Sequence, residues 1–392
     1  MRWVALALAL AGCADFEPVI LDYRQALPAL SELGGVVARD TGLVVAGTTA
    51  GAGRSSFAVA TLGDGGRLGT PLVAGGLAEG AQVSGLVALP DGGLVAFGHG
   101  GAGVVAVQAG ADGQRIATGT LGAGIVARAG IVDAAGRLVV VGQANVGDGT
   151  GDTALWAGIF RLTGTGFEVV GEDTWRVEAS RSAEARAVTA LADGGFLVGG
   201  VFAGPVDGQP VLLRLDADGD LATENLHPDA ERTGQVGALL ALADGRVLVA
   251  DEAGGHGRLG VMSLAAPADW RPIELCVAGL SPVRPVSLAL DADRIALAGW
   301  AGFSERRLWL VRADAALGDL QLWTPGALTA SATARISTGF SNEGGLYLGS
   351  TLCTAAESTA CLQAETAGPR PTVWYVDAAG AGLGAAASPE CP

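Results

Sequence analysis

The sequence predicts an all-β chain, folded as a seven-bladed β-propeller of four-stranded antiparallel blades, on three observations. A phrase built of a small-apolar strand, an Asp/Gly turn, a second apolar strand closing on glycine, and a third apolar strand recurs seven times. Its closing positions fall 44 to 58 residues apart, the range in which fixed-period self-similarity marks propellers and solenoids. The 63 glycines are scattered through the apolar segments with no sustained 3.6-residue period, which excludes a mainly helical fold.

Each element of the phrase has a local reason. The closing position of the second strand reads Gly47, Gly98, Gly142, Gly200, Asp251, Gly299 and Ser350. Before it come turns such as Asp40-Thr41-Gly42, Asp91-Gly92-Gly93, Ala135-Gly136-Arg137, Asp193-Gly194-Gly195, Asp244-Gly245-Arg246 and Glu343-Gly344-Gly345, which supply the positive φ a tight hairpin needs. The sixth repeat has Asp293-Arg294 instead and lacks the glycine. After the closing position a variable loop leads to a third apolar run, as in Phe57 to Leu62, Val104 to Val107, Val211 to Leu215, Leu308 to Val311 and Val373 to Val376. A fourth, more polar strand fits before the next repeat, for example Pro272 to Val277. Four short antiparallel strands per unit describe a propeller blade better than a solenoid coil. Residues 33–392 are therefore expected to form a single domain, with repeats near 33–80, 81–125, 126–180, 181–230, 231–280, 281–328 and 329–392. Val19 to Arg24 is expected to add an outer strand to the last blade and close the ring, protecting an open edge.

The run Arg186 to Gly200 followed by Val211 to Leu221 resembles the bacterial delta-60 type β-propeller repeat, and the resemblance extends over roughly residues 33 to 383. It implies a propeller and a binding scaffold, with no common chemistry.

At the amino terminus, Arg2, the apolar stretch Trp3 to Leu10 and the sequence Leu10-Ala11-Gly12-Cys13 resemble a bacterial lipobox. The apolar run is too short to span a bilayer and fits a signal peptide over residues 1–12. The resemblance implies a lipidated Cys13 and a tether over residues 13–32, with stable anchoring if several acyl chains share that residue. Ala14 follows where a retention signal would have Asp, which points to the outer membrane of a bacterial cell envelope.

Cys276, Cys353, Cys361 and Cys391 remain after Cys13, an even number that favours disulfides in an exported chain. Cys353 and Cys361 flank an insertion in the seventh repeat and are paired on that ground, leaving Cys276 with Cys391; three connectivities are open to four cysteines. The net charge of −16, with arginine as the sole basic residue apart from three histidines, excludes nucleic acid as a partner.

The chemistry-bearing candidates lie at the ends of the first strands. Counting back from the second strand gives Leu33, Ser84, Arg128, Arg186 and Gly237 in the first five repeats and Arg284 and Arg335 in the last two. Arg128, Arg186, Arg284 and Arg335 are thus expected at the mouth of the central channel, where guanidinium groups hold carboxylate, sulfate or phosphate. The alternative is structural: each pairs with an acid such as Glu184, or with loop carbonyls, to bracket neighbouring blades. The loops Gln143 to Leu155, Val201 to Pro210, Asp251 to Arg258, Trp300 to Arg307 and Thr351 to Thr372 are expected on the same face.

Asp216, Asp218 and Asp220 open like a calcium loop, but Leu221 and His227 stand where glycine and glutamate are required, so a hairpin turn is expected. His99, His227 and His256 have no metal-ligand spacing. Asp148, Asp152, Asp207, Asp251, Glu252 and Glu305 are candidates for an acid/base pair that spacing alone does not join. Neither a Gly-Xaa-Ser-Xaa-Gly elbow nor a P-loop occurs.

The expectation is a monomeric, lipid-anchored binding or scaffold module without cofactor or metal, more non-catalytic than catalytic, whose partner is a protein or an anionic glycan. The alternative is an envelope hydrolase or lyase acting on an anionic glycan. The Val-, Ala- and Gly-rich inner strands, Gly85 to Leu89 and Gly237 to Leu242, favour a plugged, apolar channel and thus the scaffold.

Overall fold

The computed structural model describes residues 30–376, excepting 63–71, 75–80, 324–328, 331–335, 341–345, 354–369 and shorter stretches between them. The described chain is an all-β propeller of antiparallel meanders. The first sheet holds β1 (Leu30–Arg39), β2 (Gly42–Gly51), β3 (Arg54–Leu62) and β4 (Leu72–Ala74). The second holds β5 (Gln82–Ala88), β6 (Leu94–Gly100), β7 (Gly103–Ala109) and β8 (Arg115–Gly122). The third holds β9 (Ile125–Val132), β10 (Arg137–Asn145), β11 (Thr153–Leu162) and β12 (Phe167–Trp175). The fourth holds β13 (Ser182–Ala190), β14 (Phe196–Ala203), β15 (Gly208–Leu215) and β16 (Leu221–Thr223). The fifth holds β17 (Gly234–Ala241), β18 (Val247–Ala253), β19 (His256–Met262) and β20 (Ile273–Leu275). The sixth holds β21 (Val283–Asp291), β22 (Arg294–Ala301), β23 (Arg307–Asp314), β24 (Gln321–Trp323), β25 (Thr329–Ala330), β26 (Ile336–Phe340), β27 (Leu346–Cys353) and β28 (Arg370–Val376).

Seven separate four-stranded blades are therefore not what forms: there are six sheets, five of four strands and one of eight. The cause is β25, whose Thr329 pairs with Arg307 of β23 on one side and Cys353 of β27 on the other. Backbone hydrogen bonds thus run unbroken through the last two repeats, where the turn signals suggest separate units. Residues 1–29, with Cys13 and the Val19 to Arg24 segment, lie outside the described residues. No helix among the described residues is long and apolar enough to cross a membrane.

Continuous apolar runs on the second strands are explained by burial on both faces. In β6, Leu94 and Ala96 pack toward Val44 and Phe57 of the first sheet, while Val95 and Phe97 pack toward Leu138 and Trp156 of the third. Alternate residues of one strand thus join two different cores, the period-2 consequence of the pleat. The same division places Val198 with Val139 and Leu155, and Leu197 with Val236 and Met262. The ring closes when Leu33, Val36 and Val45 pack on Tyr347 and Val373. There the hydroxyls of Ser337 and Tyr347 donate to the Val36 carbonyl at 3.0 and 3.2 Å. Burial pushes the Tyr347 phenol pKa up, so it remains a neutral donor.

The turns follow the Asp/Gly reading. Asp91, Asp193 and Asp244 each accept a backbone N–H two residues on, at 2.8, 3.1 and 3.1 Å, and Gly92, Gly194 and Gly245 take φ of 81, 87 and 83°. In the sixth repeat, without that glycine, Ala292 adopts φ 54°.

The closing glycines have a second cause. Every first strand from β1 to β21 carries a register shift opposite them, leaving Gly34, Ser84, Arg128, Arg186, Gly237 and Val286 as the extra, bulged residues. The bulge drives a carbonyl of the first strand onto the second: a Cβ on Gly98, Gly142, Gly200 or Gly299 would meet the carbonyl oxygen of Gln82, Val126, Glu184 or Arg284. Gly200→Ala should consequently cost on the order of 1–3 kcal/mol through overpacking. Gly164→Ala, whose Cβ meets nothing, should stay within about 0.5 kcal/mol. Denaturant titration of the two variants checks this. Tyr347→Phe, which removes the closing hydrogen bond, should lower stability by about 1 kcal/mol in the same titration.

Candidate functional site

The first strands surround a central cavity of about 420 Å³ to which every sheet contributes, with Gly34, Ser84, Arg128, Arg186, Gly237 and Arg284 among the lining residues. The channel is therefore not plugged by Val, Ala and Gly. The bulges account for this, because they turn a register position that reads as one more inner-strand residue toward the axis. Ser84, Arg128 and Arg186, three of the counted positions, are bulge residues. Arg284 is not: the bulge of β21 is Val286, and Arg284 pairs with Trp300, as Glu184 pairs with Val201 and Gln235 with Glu252. It belongs to the layer one step nearer the channel mouth. Arg335 lies outside the described residues.

The three described arginines lean on two carboxylates. Glu184 is bracketed by Arg128 Nε on one oxygen and by Arg186 Nε and Nη2, at 3.0 and 2.6 Å, on the other. Arg186 Nη1 donates to Gln235 Oε1. Arg284 Nε donates to Glu252 Oε2 at 3.1 Å, and its guanidinium lies 4.8 Å above the Trp300 ring. The structural pairing is thus present, and the paired arginines also line the cavity. The side chains of Arg128, Arg186 and Arg284 are 29, 32 and 28% exposed, against 15 and 8% for Glu184 and Glu252. Arg128, Arg186, Arg284 and Glu184 line the cavity, with Glu184 more buried than the arginines, and Glu252 stands behind Arg284.

Burial raises the Glu252 pKa against the opposing pull of Arg284. Burial also lowers that of Arg284, and Arg186 nearby lowers it further despite Glu252. Both partners thus carry an ionic form that their surroundings compensate incompletely.

The histidines separate by role. Ser84 Oγ donates to the Ala127 carbonyl at 2.8 Å and lies 3.3 Å from His99 Nδ1. With the hydroxyl proton so directed, Nδ1 is the donor to Ser84. His99 occupies the position after the closing glycine on β6, the register of Glu252 and Trp300 on their strands. His227 is not the isolated residue its position suggests: its Nε2 donates to the fully buried Asp251 at 3.1 Å while Nδ1 accepts from Asp229 N. Arg258 Nε donates to Asp251 at 2.9 Å and Nη1 to Asp229 at 2.5 Å, so this network braces the fourth and fifth sheets. His256 Nδ1 stands 3.7 Å from Cys276 Sγ.

Other expectations are altered. Asp251 to Arg258 is a tight hairpin between β18 and β19, not a long loop. Asp152 pairs with Arg176 at 2.9 Å, and Asp148, Asp207 and Glu305 lie outside the described residues. Asp216 Oδ1 accepts from the N–H of Asp218 and Asp220 at 3.0 Å, a self-capped turn as expected. No group of three or more His, Cys, Asp or Glu side chains among the described residues is placed to hold a metal. Cys276 is disulfide-bonded; Cys361 and Cys391 lie outside the described residues, so neither the Cys353–Cys361 nor the Cys276–Cys391 pairing is assigned.

No protein-family model matches the chain, and none of the curated proteins matches it significantly. The delta-60 likeness therefore remains a resemblance. Solved structures do match. A virginiamycin B lyase from Staphylococcus aureus is 12% identical with a TM-score of 0.55, covering 88% of this chain and 97% of its own. An ulvan lyase of a polysaccharide lyase family is 10% identical with a TM-score of 0.52, covering 89 and 95%. The Dos1 propeller is 8% identical with a TM-score of 0.50, covering 88 and 92%. The chain has a β-propeller fold. At these identities the likeness reaches the fold and no further, and that fold is shared by lyases and by a propeller whose name carries no activity. The leaning toward a non-catalytic module does not survive: it rested on a plugged, apolar channel, and the channel is a cavity lined by charged side chains.

Glu252 supplies a pH test. Its raised pKa means that the folded chain keeps this proton at pH values where the unfolded chain has lost it, so its contribution to stability falls as pH rises through that window. Protonation also removes the counter-charge of Arg284. Glucuronate affinity should tighten as pH falls through the Glu252 transition, and Glu252→Gln should bind more tightly at neutral pH with that component of the pH dependence flattened. Isothermal titration across pH checks both.

Proposed function

We propose that the chain is an enzyme that cleaves an anionic glycan by elimination, held at the bacterial cell envelope through lipid on Cys13. The observation that carries this reading is the arginine-lined cavity, in which Arg128, Arg186 and Arg284 outnumber their partners Glu184 and Glu252. The occurrence of this fold in a virginiamycin B lyase and an ulvan lyase supports it.

The chemistry follows from the residues. A guanidinium paired with the carboxylate of a uronic acid stabilises the negative charge that develops when the adjacent C5 proton leaves. His99, the imidazole beside the cavity-lining Ser84, takes that proton. The electron pair forms the C4–C5 double bond, and the C4–O4 bond breaks. The proton that His99 took is returned to the departing oxygen. No water is consumed. Ser84 positions His99, and lipid on Cys13 keeps the enzyme beside envelope polymers.

Incubation of the full-length chain with polyuronates should release oligosaccharides with the ultraviolet absorbance of an unsaturated uronate. His99→Ala should lose about 10²-fold or more in kcat. A folded protein that yields no unsaturated product from any polyuronate would sink the reading.

A further inference from the structure

We infer that Arg284 and Arg186 together form a receptor for one planar carboxylate, so that the channel selects uronic acids over sulfated or phosphorylated sugars. This deepens the elimination reading by naming the substrate class, and it rests on the same cavity.

Arg284 commits only Nε to Glu252; its two terminal nitrogens donate to no other described residue. Stacking on Trp300 at 4.8 Å holds the guanidinium plane, which presents the remaining fork to the cavity in a fixed orientation. Arg186 is spent on Glu184 through Nε and Nη2, but Nη1 rests on the neutral amide oxygen of Gln235. A charged donor held by a neutral acceptor is the contact a carboxylate most readily replaces, since an ionised acceptor adds Coulomb attraction to the bond. Gln235 is itself buried, at 6% exposure, so its amide forms a built wall of the site. Arg186 also lies near enough to Arg284 for each charge to disfavour the other, which one incoming anion relieves.

Chemistry discriminates among anions. Any ligand competes with Glu184 and Glu252 for these guanidinium groups. A sulfate ester, the conjugate base of a very strong acid, is a poorer hydrogen-bond acceptor than those resident carboxylates. A phosphate monoester near neutral pH brings close to two charges where three arginines face two glutamates, leaving surplus negative charge partly desolvated. A carboxylate matches both the surplus and the two-pronged fork.

The test is isothermal titration of the full-length chain with a uronic acid tetrasaccharide, a sulfated neutral tetrasaccharide and a phosphorylated one. It is repeated on Arg284→Lys, which keeps the charge and the Glu252 partner but removes the fork. The expected result is saturable binding of the uronate alone, weakened about tenfold or more in Arg284→Lys at an unchanged melting temperature. Equal or tighter binding of the sulfated or phosphorylated sugar overturns the inference, as does an unaffected Arg284→Lys or no binding of any ligand. Uronate binding lost in Arg284→Lys, without unsaturated product from the wild type, upholds this receptor and overturns the elimination reading. Product formation at an unaltered KM in Arg284→Lys does the reverse.

Discussion

The close approach of a bulged first strand to the glycine that ends the second is the contact on which the rest of this structure depends. One extra residue in each of β1, β5, β9, β13, β17 and β21 swings a carbonyl over the neighbouring strand. Gly98, Gly142, Gly200 and Gly299 have no Cβ to obstruct it. The bulge bends the inner strand and brings Ser84, Arg128 and Arg186 to the cavity. The repeat glycine and the channel chemistry are therefore two consequences of one backbone feature. Asp251, standing where the others have glycine, turns that position to another use as the buried acceptor for His227 and Arg258.

The sheets around this centre are buried on both faces, so each second strand serves two cores at once. That is why the second strands read as unbroken apolar runs and why the repeats tolerate unequal spacing. The packing surface is set by alternate residues of a few positions, while spacing differences fall in connections. The last two repeats show the limit of this modularity. Their edges approach closely enough for β25 to hydrogen-bond both, and the unit boundary disappears from the sheet although it persists in the sequence.

In a chain of strongly negative net charge, the channel is locally positive because its carboxylates are the more buried partners. Glu184 and Glu252 hold the arginine stems in place, and the guanidinium groups keep the exposed side. Pairing with an acid therefore does not remove these arginines from the cavity lining. Burial leaves Arg284 and Glu252 incompletely compensated.

The sequence by itself determined the strands, the turns and the recurrent closing glycine, because these depend on φ preference and period-2 burial over a few residues. It also placed Arg128 and Arg186 on one ring, since a fixed count from the turn survives from repeat to repeat. Tertiary structure alone decided the number of sheets, the layer of Arg284 and the company of Glu252, Gln235, His99 and Trp300. A bulge shifts side-chain direction without altering the residue count, and contacts between strands about fifty positions apart follow from the curvature of the ring. Whether the channel is open was hidden for the same reason: Val, Ala and Gly line an inner strand in either case, and only the bend of the backbone determines which residue meets the axis.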